Sequence, residues 1–387
     1  MEEELVEIIE ACRIAVEDPD YPAVHQWLEE NPGGKVLGHF QVYFPEELAH
    51  AAGMFPLKLK GFDRTVQIRE ADAHIAAFVC SILRTCLEQG LTGRLDFLSM
   101  YVTHPICDAA RHLNGVWTRL FPNLNCQILY LPQNADSSHA QPYLTAEYRR
   151  IAGMIEEVTG NKITDEALRE SIEVFNENRR LLRELYEIRR ETPWQIGLTE
   201  SYLLMTAGGA MPREKHNGLL RRALPIIRNR NHRPQDKLRI VFEGGYCEQP
   251  PIELLSVLQD VAYVVDDDFM IGLRWLLDDI PTDGDPIENL AWAYLESSSY
   301  SPVQHDRRKP KEEMLLKRIR RARAEAAIVA APKMCEPGLE EQVTYDAALT
   351  AAGIPHLVME FEEKTSNFEQ MRMEVETFAE SLLFEFV

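Results

Sequence analysis

Two stretches of this chain alternate short apolar runs with helical segments, and this alternation constrains the fold more than any other feature. Strands that are separated by helices of ten or more residues imply a parallel sheet. The sequence therefore predicts an α/β protein with two Rossmann-like or flavodoxin-like parallel-sheet domains. The predicted strands are residues 35–40, 56–59, 97–102 and 126–131 in the first stretch, and 238–242, 263–265, 327–331 and 356–361 in the second.

The residues between these stretches predict a helical insert. Thr164 can cap a helix that carries Asp165 and Glu166 in its first turn and ends before Pro193. The two α/β units share no detectable sequence repeat. The predicted division is an amino-terminal helical segment over 1–33, a first α/β domain over 34–142, a helical middle region over 143–236 and a second α/β domain over 237–387.

Composition excludes several classes of protein. The 387 residues include 62 acidic and 41 basic side chains, with a formal net charge of -21, which argues against nucleic acid or an anionic membrane as the main partner. The apolar runs are shorter than the roughly 20 residues of a membrane helix. The amino-terminal MEEELVEIIEACR lacks the basic start of a secretory signal. Seven cysteines without a disulfide pattern fit a reducing compartment, so we expect a cytoplasmic protein.

Three cysteines are placed where an open α/β fold gathers its ligands. Cys107 and Cys335 each follow the carboxyl end of a predicted buried strand, the edge at which doubly wound sheets bind ligands. Cys107 also heads a predicted helix, whose amide groups favour a thiolate. Cys80 lies in HIAAFVCSILRTC, inside a long helix predicted over 71–89, so a core role stays open for it. Three thiolates that converge at this edge would suit an iron-sulfur cluster.

A fourth cysteine is a candidate neighbour of such a cluster. Cys247 follows a strand in FEGGYCEQPP, where Gly244 and Gly245 allow a close backbone approach. Cys12 and Cys126 are predicted to be structural residues.

Two further residues are candidate proton donors. The run YVVDDDFMIGLRW places three aspartates at a strand end, and one of them, which we assign as Asp267, could face the cleft with a raised pKa. Helix capping in a solvated turn is the alternative for these aspartates. His104, three residues before Cys107, is either a proton donor near the cluster or a capped loop residue.

Several motifs are absent from the sequence. It has no GxxxxGK[ST] phosphate loop, no GxGxxG after a strand, no GxSxG and no HExxH. We therefore do not expect this chain alone to hydrolyse ATP or to bind a dinucleotide.

The motifs that are present resemble those of the 2-hydroxyacyl-CoA dehydratase and benzoyl-CoA reductase family, and the resemblance covers nearly the whole chain. It rests on the order and spacing of FPEELAHAAGMFPLKLKG, CSILRT, THPICDAARHL, VVDDDFMIGLRW, AAPKMCEPG and GIPHLVMEFEE. Within the family, ETPW, MPREKHNGLLR, FEGGYCEQPP and YSPVQHDRRKPK look most similar to the smaller of the cluster-binding subunits of ATP-dependent benzoyl-CoA reductases.

This resemblance implies a cofactor and partners. Cys80, Cys107 and Cys335 would hold a 4Fe-4S cluster with one iron open to a non-cysteine ligand; an eight-iron double-cubane cluster is the alternative. The partners would be a paralogous cluster-binding subunit, ATP-hydrolysing activase-like subunits that carry the ATP, and ferredoxin as electron donor.

The resemblance also implies an activity, the dearomatisation of benzoyl-CoA to a cyclic diene-carboxyl-CoA in anaerobic aromatic degradation. One alternative is a component of a 2-hydroxyacyl-CoA dehydratase, a lyase that uses the same one-electron chemistry. Another is an electron-relay or scaffold subunit whose paralogue holds the substrate.

A CoA thioester carries phosphates, and one basic run could bind them. His305, Arg307 and Arg308 lie in YSPVQHDRRKPK, which is unusual in so acidic a chain. A solvated segment or a contact between subunits is the alternative.

Overall fold

The protein contains two four-stranded parallel sheets with the same order of strands. The computed structural model describes residues 2–40, 43–61, 65–244, 250–269, 275–299, 306–362 and 368–385. The first sheet has the order β2-β1-β3-β4 and the second has the order β6-β5-β7-β8. The strands are β1 (Lys35–His39), β2 (Met54–Lys58), β3 (Leu98–Thr103), β4 (Asn125–Ile128), β5 (Leu238–Glu243), β6 (Ala262–Asp267), β7 (Ala326–Pro332) and β8 (His356–Phe361).

Helices surround and connect the sheets. A π-helical turn at Ala293–Ser297 follows α11, and short 3-10 turns occur at Ala71–Ala73, Pro193–Gln195 and Ala207–Gly209. The helices are α1 (Glu2–Glu17), α2 (Pro22–Glu30), α3 (Glu46–Ala51), α4 (Ser81–Leu91), α5 (Asp108–Leu120), α6 (Ala140–Thr159), α7 (Asp165–Glu191), α8 (Leu198–Thr206), α9 (Arg213–Arg228), α10 (Ile252–Val261), α11 (Pro286–Trp292), α12 (Lys311–Ala322), α13 (Glu336–Ala351) and α14 (Glu369–Glu385).

The predicted fold class is confirmed, because every strand pair in both sheets is parallel. Parallel sheets need helices on both faces, so their central strands are apolar throughout. All seven residues of β7 are buried. On one face of the second sheet, α12 and α13 cover a small core that contains Val241, Val329 and Leu349.

The helical middle is attached to the second sheet by buried ion pairs. Thr164 caps α7 as predicted, since its Oγ1 accepts the amide of Ala167 at 3.1 Å. At the far end of α7, Arg189 pairs with Asp267 at 2.5 Å and Arg190 pairs with Asp266 at 3.1 Å. Along the sequence, the four helices α6–α9 follow the last strand of the first sheet and precede the first strand of the second. The predicted domain boundaries stay predictions.

The prediction of one helix over 71–89 is wrong for the first half of this range. Only a 3-10 turn forms at Ala71–Ala73, and α4 begins at Ser81. The apolar run before α4 indicated a buried helix, yet residues 76–78 are exposed. An isolated segment of this length gains little from helix formation unless packing stabilises it. Cys80 therefore lies at the start of a helix and not within one.

The described helices include none that combines the length and the apolar character needed to cross a membrane.

We predict that Gly244→Ala destabilises the protein by about 2 kcal/mol or more, because this position requires glycine. Gly244 has a φ of +107°, and a Cβ there would lie 2.3 Å from the carbonyl oxygen of Ala330. The matched control is Gly153→Ala in α6, where a Cβ would meet no atom within 4 Å. This control should stabilise the helix by about 0.5–1 kcal/mol. Urea unfolding of both variants measures the difference, and an unchanged stability of Gly244→Ala would contradict the prediction.

Candidate functional site

The three cysteines singled out by the sequence line one cavity. This cavity has a volume of about 480 Å³, and Cys80, Cys107 and Cys335 are all part of its wall. The rest of the wall is mainly apolar and includes Phe40, at the end of β1, and Ile106, after β3. The fold thus brings together residues that are far apart in the sequence and belong to both α/β units.

Each of these cysteines directly precedes a helix. Cys80 is the residue before α4, Cys107 the residue before α5 and Cys335 the residue before α13. The first amides of a helix lack partners within the helix and favour negative charge. The sulfur of Cys107 already accepts the amide of Ala110 at 3.4 Å. Three helix amino termini therefore lie at the wall of a cavity lined by thiols.

Cys107 and Cys335 occupy equivalent places in the two units. Cys107 follows β3 and Cys335 follows β7, the strands that lie beside β1 and β5 in their sheets. In each sheet the order of strands reverses direction at this pair, and such switch points open a crevice at the carboxyl ends of the strands. The structure accordingly places both cysteines at switch points, one per sheet.

Burial and charge control the protonation of Cys107. Burial raises the pKa of its thiol, the amides of Ala110 and Ala109 lower it, and the carboxylates of Glu336 and Asp108 raise it further. Cys107 and Glu336 line the same cavity, so the starts of α5 and α13 lie on its common wall. Because the net pKa is raised, a metal must displace the thiol proton when it binds.

Three thiols in a mainly apolar wall are donors of the kind that an iron-sulfur cluster uses. The described residues contain no group of three or more His, Cys, Asp or Glu side chains gathered closely enough to hold one metal ion. In an iron-sulfur cluster each thiolate binds a different iron. Gly338 leaves room beside one of them, since a Cβ there would lie 3.4 Å from the Cys335 sulfur. The thiols, the glycine and the apolar wall are compatible with a cluster in this cavity.

Exposed apolar side chains border the cavity. Phe78 is 74% exposed and Met334 is 59% exposed, and both line the cavity wall. Met334 has a φ of +60°, a conformation that few residues other than glycine adopt. The residue next to Cys335 is thus held in an uncommon conformation with its side chain at the surface.

His104 lies at the carboxyl end of β3 and is buried. Its ring contacts the edge of the Tyr43 ring, with 5.0 Å between the centroids. Burial, and then the charges of Lys58 and His39, lower the pKa of His104 to about 3. Its imidazole is therefore neutral at physiological pH. The predicted role of His104 as a proton donor stays a prediction.

Asp267 does not line the cavity of the three cysteines. It is fully buried, pairs with Arg189 and accepts the hydroxyl of Tyr186 at 2.7 Å. It lines a smaller cavity of about 190 Å³ instead. In the same acidic run, burial raises the pKa of Asp268 and of neighbouring Glu243. The proposed proton transfer by Asp267 stays a prediction.

The remaining candidate residues are not brought to the described cavity wall. Arg307 pairs with Asp136 at 2.9 Å, and Arg308 pairs with Asp306 and Glu296, each at 2.9 Å. The basic run is therefore largely neutralised by carboxylates. Cys247 and His305 lie outside the described residues.

The cysteines predicted to be structural lie elsewhere. Cys12 is buried in the core on the inner face of α1, where burial raises its pKa to about 12. Cys126 belongs to β4, where burial raises the pKa of its thiol to about 11. Neither residue lines the cysteine cavity.

Sequence reasoning missed a buried charge network after β1. Glu46 pairs with Arg213 and with the Nε2 of His39, and Glu47 pairs with Arg179. The only signal in the sequence was a pair of adjacent glutamates inside an apolar run, FPEELAHAAG, which does not identify partners more than 130 residues away. These pairs join the carboxyl edge of the first sheet to α7 and α9.

Comparison with known proteins gives one consistent result. Residues 41–382 match the family described as 2-hydroxyglutaryl-CoA dehydratase, D-component. The chain is 36% identical over 378 residues to the C subunit of benzoyl-CoA reductase from Thauera aromatica, covering 97% of this chain and 98% of that protein. It is 28% identical to the (R)-phenyllactyl-CoA dehydratase beta subunit of Clostridium sporogenes, over 91% of this chain and 93% of that protein. It is 26% identical to the beta subunit of (R)-2-hydroxyglutaryl-CoA dehydratase from Acidaminococcus fermentans, over 90% of this chain and 93% of that protein. The family resemblance seen in the motifs is confirmed.

We predict that His104 makes the stability of the protein depend on pH. The folded state keeps His104 neutral down to about pH 3, whereas the unfolded chain binds a proton near pH 6.5. The free energy of unfolding should therefore fall as the pH falls below about 6.5, with a slope of up to about 1.4 kcal/mol per pH unit from this residue. His104→Asn should reduce the slope by nearly that amount near pH 5, and by progressively less as the pH approaches 7, in urea unfolding.

A second buried histidine provides the matched comparison. Burial and the charge of Arg213 lower the pKa of His216 to about 3, although the Leu204 carbonyl and the charge of Glu46 raise it, so His216→Asn should reduce the slope equally. A slope that changes in His216→Asn but not in His104→Asn would contradict the assignment for His104.

Proposed function

This chain belongs to the 2-hydroxyglutaryl-CoA dehydratase D-component family, and we propose that it is the cluster-binding subunit of an ATP-dependent benzoyl-CoA reductase. The observation that supports this most directly is the convergence of Cys80, Cys107 and Cys335 on one cavity at three helix amino termini. The activity would be low-potential electron transfer to the thioester benzoyl-CoA, which is reduced to a cyclic diene-carboxyl-CoA.

The choice of reductase over dehydratase rests on similarity. The identity of 36% to a benzoyl-CoA reductase subunit spans nearly all of both chains, and the identities to the dehydratase subunits are 28% and 26%. A dehydratase beta subunit is the second candidate function, because those relatives also align over about nine-tenths of the chain. An electron-relay or scaffold role is a third.

We infer that the three cysteines hold a 4Fe-4S cluster, which when bound supplies a strongly reducing electron. This chain's own residues would tune it. The amides at the starts of α4, α5 and α13 would stabilise negative charge on the sulfurs. The apolar side chains of Phe40, Ile106 and Leu83 would limit water at the cavity wall.

We further propose that the chain works in a cytoplasmic hetero-oligomer. The sequence has no phosphate-binding loop, so the ATP that drives the electron would be hydrolysed by separate subunits, with ferredoxin as the donor. A paralogous cluster-binding subunit would complete the catalytic pair. The exposure of Phe78 and Met334 beside the cavity supports this proposal, because exposed apolar patches mark contact sites for partner proteins.

We predict that Cys80→Ser, Cys107→Ser and Cys335→Ser each lose most of the bound iron, since a cluster held by three thiolates needs all of them. Iron and sulfide analysis of the protein, purified without oxygen, measures the loss. The matched control is Cys126→Ser, because Cys126 lies in β4 and does not line the cavity. The protein with this substitution should keep its bound iron. Full iron retention in the three cavity variants would overturn the proposed ligand set.

We predict that the complex purified from its native host reduces benzoyl-CoA only when ATP and a low-potential donor are supplied. Product analysis with benzoyl-CoA and with (R)-2-hydroxyacyl-CoA thioesters separates the two candidate functions. Formation of a cyclic diene thioester supports the reductase. Dehydration of a 2-hydroxyacyl-CoA without reduction of benzoyl-CoA would favour the second candidate.

A further inference from the structure

A groove lies at the edge of the second sheet where its strands begin, opposite their carboxyl ends. This groove has no role in the proposed function. Its volume is about 880 Å³. It is walled by residues 193–200 before and within α8, by residues 230–237 before β5, and by Ala262, Tyr263 and Val264 at the start of β6. The six residues of β5 span about 20 Å at 3.3 Å per residue, so the groove lies about that far from the carboxyl edge of this sheet.

The groove is positively charged in a strongly acidic chain. Arg233 and Lys237 line it, and neither has a carboxylate partner within the described part of the chain. Glu200 is the one carboxylate among the lining residues, and it is already bound by Arg230 at 2.7 Å. The basic run at Arg307 and Arg308 differs, because those guanidinium groups are paired with carboxylates. The groove therefore offers the uncompensated cations that an anionic ligand needs.

Aromatic rings lie in the same wall. Trp194 and Tyr263 both line the groove, and the ammonium group of Lys237 is 5.8 Å from the centre of the Tyr263 ring. A ligand that combines a flat ring with negative charge can use both kinds of group. A purely apolar ligand would cover the Arg233 guanidinium without offering it a partner.

Hydrogen bonds hold the walls of the groove in place. The Tyr263 hydroxyl accepts the amide of Gln235 at 2.7 Å, and the Nδ1 of His232 donates to the carbonyl of Trp194 at 3.2 Å. Gln259 accepts the amide of Thr199 at 3.2 Å, and its carbonyl accepts the Lys237 ammonium at 2.8 Å. The site is thus formed before a ligand arrives, which reduces the entropy cost of binding.

We propose that this groove binds a phosphorylated nucleotide, with the base against Trp194 and Tyr263 and the phosphates on Arg233 and Lys237. The volume lies within the range of small-molecule sites, roughly 300–1,000 Å³. The nucleotide is either free or the nucleotide part of CoA, which share this chemistry. The inference does not depend on the proposed function, because it uses none of the cysteine cavity.

Calorimetric titration of the full-length chain, purified without partner subunits, tests the proposal with ADP, CoA and inorganic pyrophosphate as probes. We expect saturable binding of ADP or CoA at one site per chain, weakened by added salt. Tight binding of CoA with weak binding of ADP identifies the ligand as the nucleotide part of CoA. The reverse result identifies the ligand as a free nucleotide. Pyrophosphate should bind more weakly than either, because it has no ring.

Variants of exposed arginines give the decisive comparison. Arg233→Glu should weaken nucleotide binding by at least about tenfold, since it replaces a charge-assisted contact with repulsion. The matched control is Arg320→Glu, an exposed arginine of α12 outside the groove, which should bind as the parent chain does. Absence of saturable binding to ADP and CoA, equal binding by Arg233→Glu, or binding of a poly-glutamate peptide in place of both nucleotides would overturn the proposal.

Discussion

The common direction of the parallel strands decides where this chain can place reactive side chains. In a parallel sheet all carboxyl ends meet at one edge, and the crevice at the switch point is the site that loops can line. This chain contains that arrangement twice, with the orders β2-β1-β3-β4 and β6-β5-β7-β8. Residues after β1, β3 and β7 then line a single cavity. The cysteine cavity is therefore a consequence of two sheets that share one order of strands.

Helix starts add the electrostatic part of the site. Each cavity cysteine is the residue before a helix, so the amino termini of α4, α5 and α13 lie at the cavity wall, and the amide of Ala110 in α5 contacts the Cys107 sulfur. Burial, together with the carboxylates of Glu336 and Asp108, raises the pKa of Cys107, and the amides of Ala110 and Ala109 oppose this effect. A buried thiolate group needs such compensation, and positive side chains would be the usual alternative. The cavity wall contains none among the described residues, so the amides are its main source of positive potential.

Local patterns predicted the strands, the fold class and two of the three cysteine positions. Cys107 and Cys335 follow buried strands, and the period and length of such strands are visible in the sequence. The place of Cys80 could not be predicted, because its apolar run is exposed and its composition indicated a helix. The ion-pair partners of Glu46 and of Arg307, which are Arg213 and Asp136, could not be predicted from the sequence either. Those ion pairs join residues more than 160 positions apart, and such contacts depend on the tertiary fold.

The central claim is that one iron-sulfur cluster is held jointly by cysteines of both α/β units. Mössbauer spectroscopy of the full-length chain, loaded with ⁵⁷Fe under anaerobic conditions, tests it most directly. We predict the spectrum of a four-iron cluster in which three thiolate-bound irons differ from one iron with another ligand. A spectrum of isolated iron ions, or a cluster spectrum that is unchanged when Cys335 of the second unit is replaced by serine, would contradict the account.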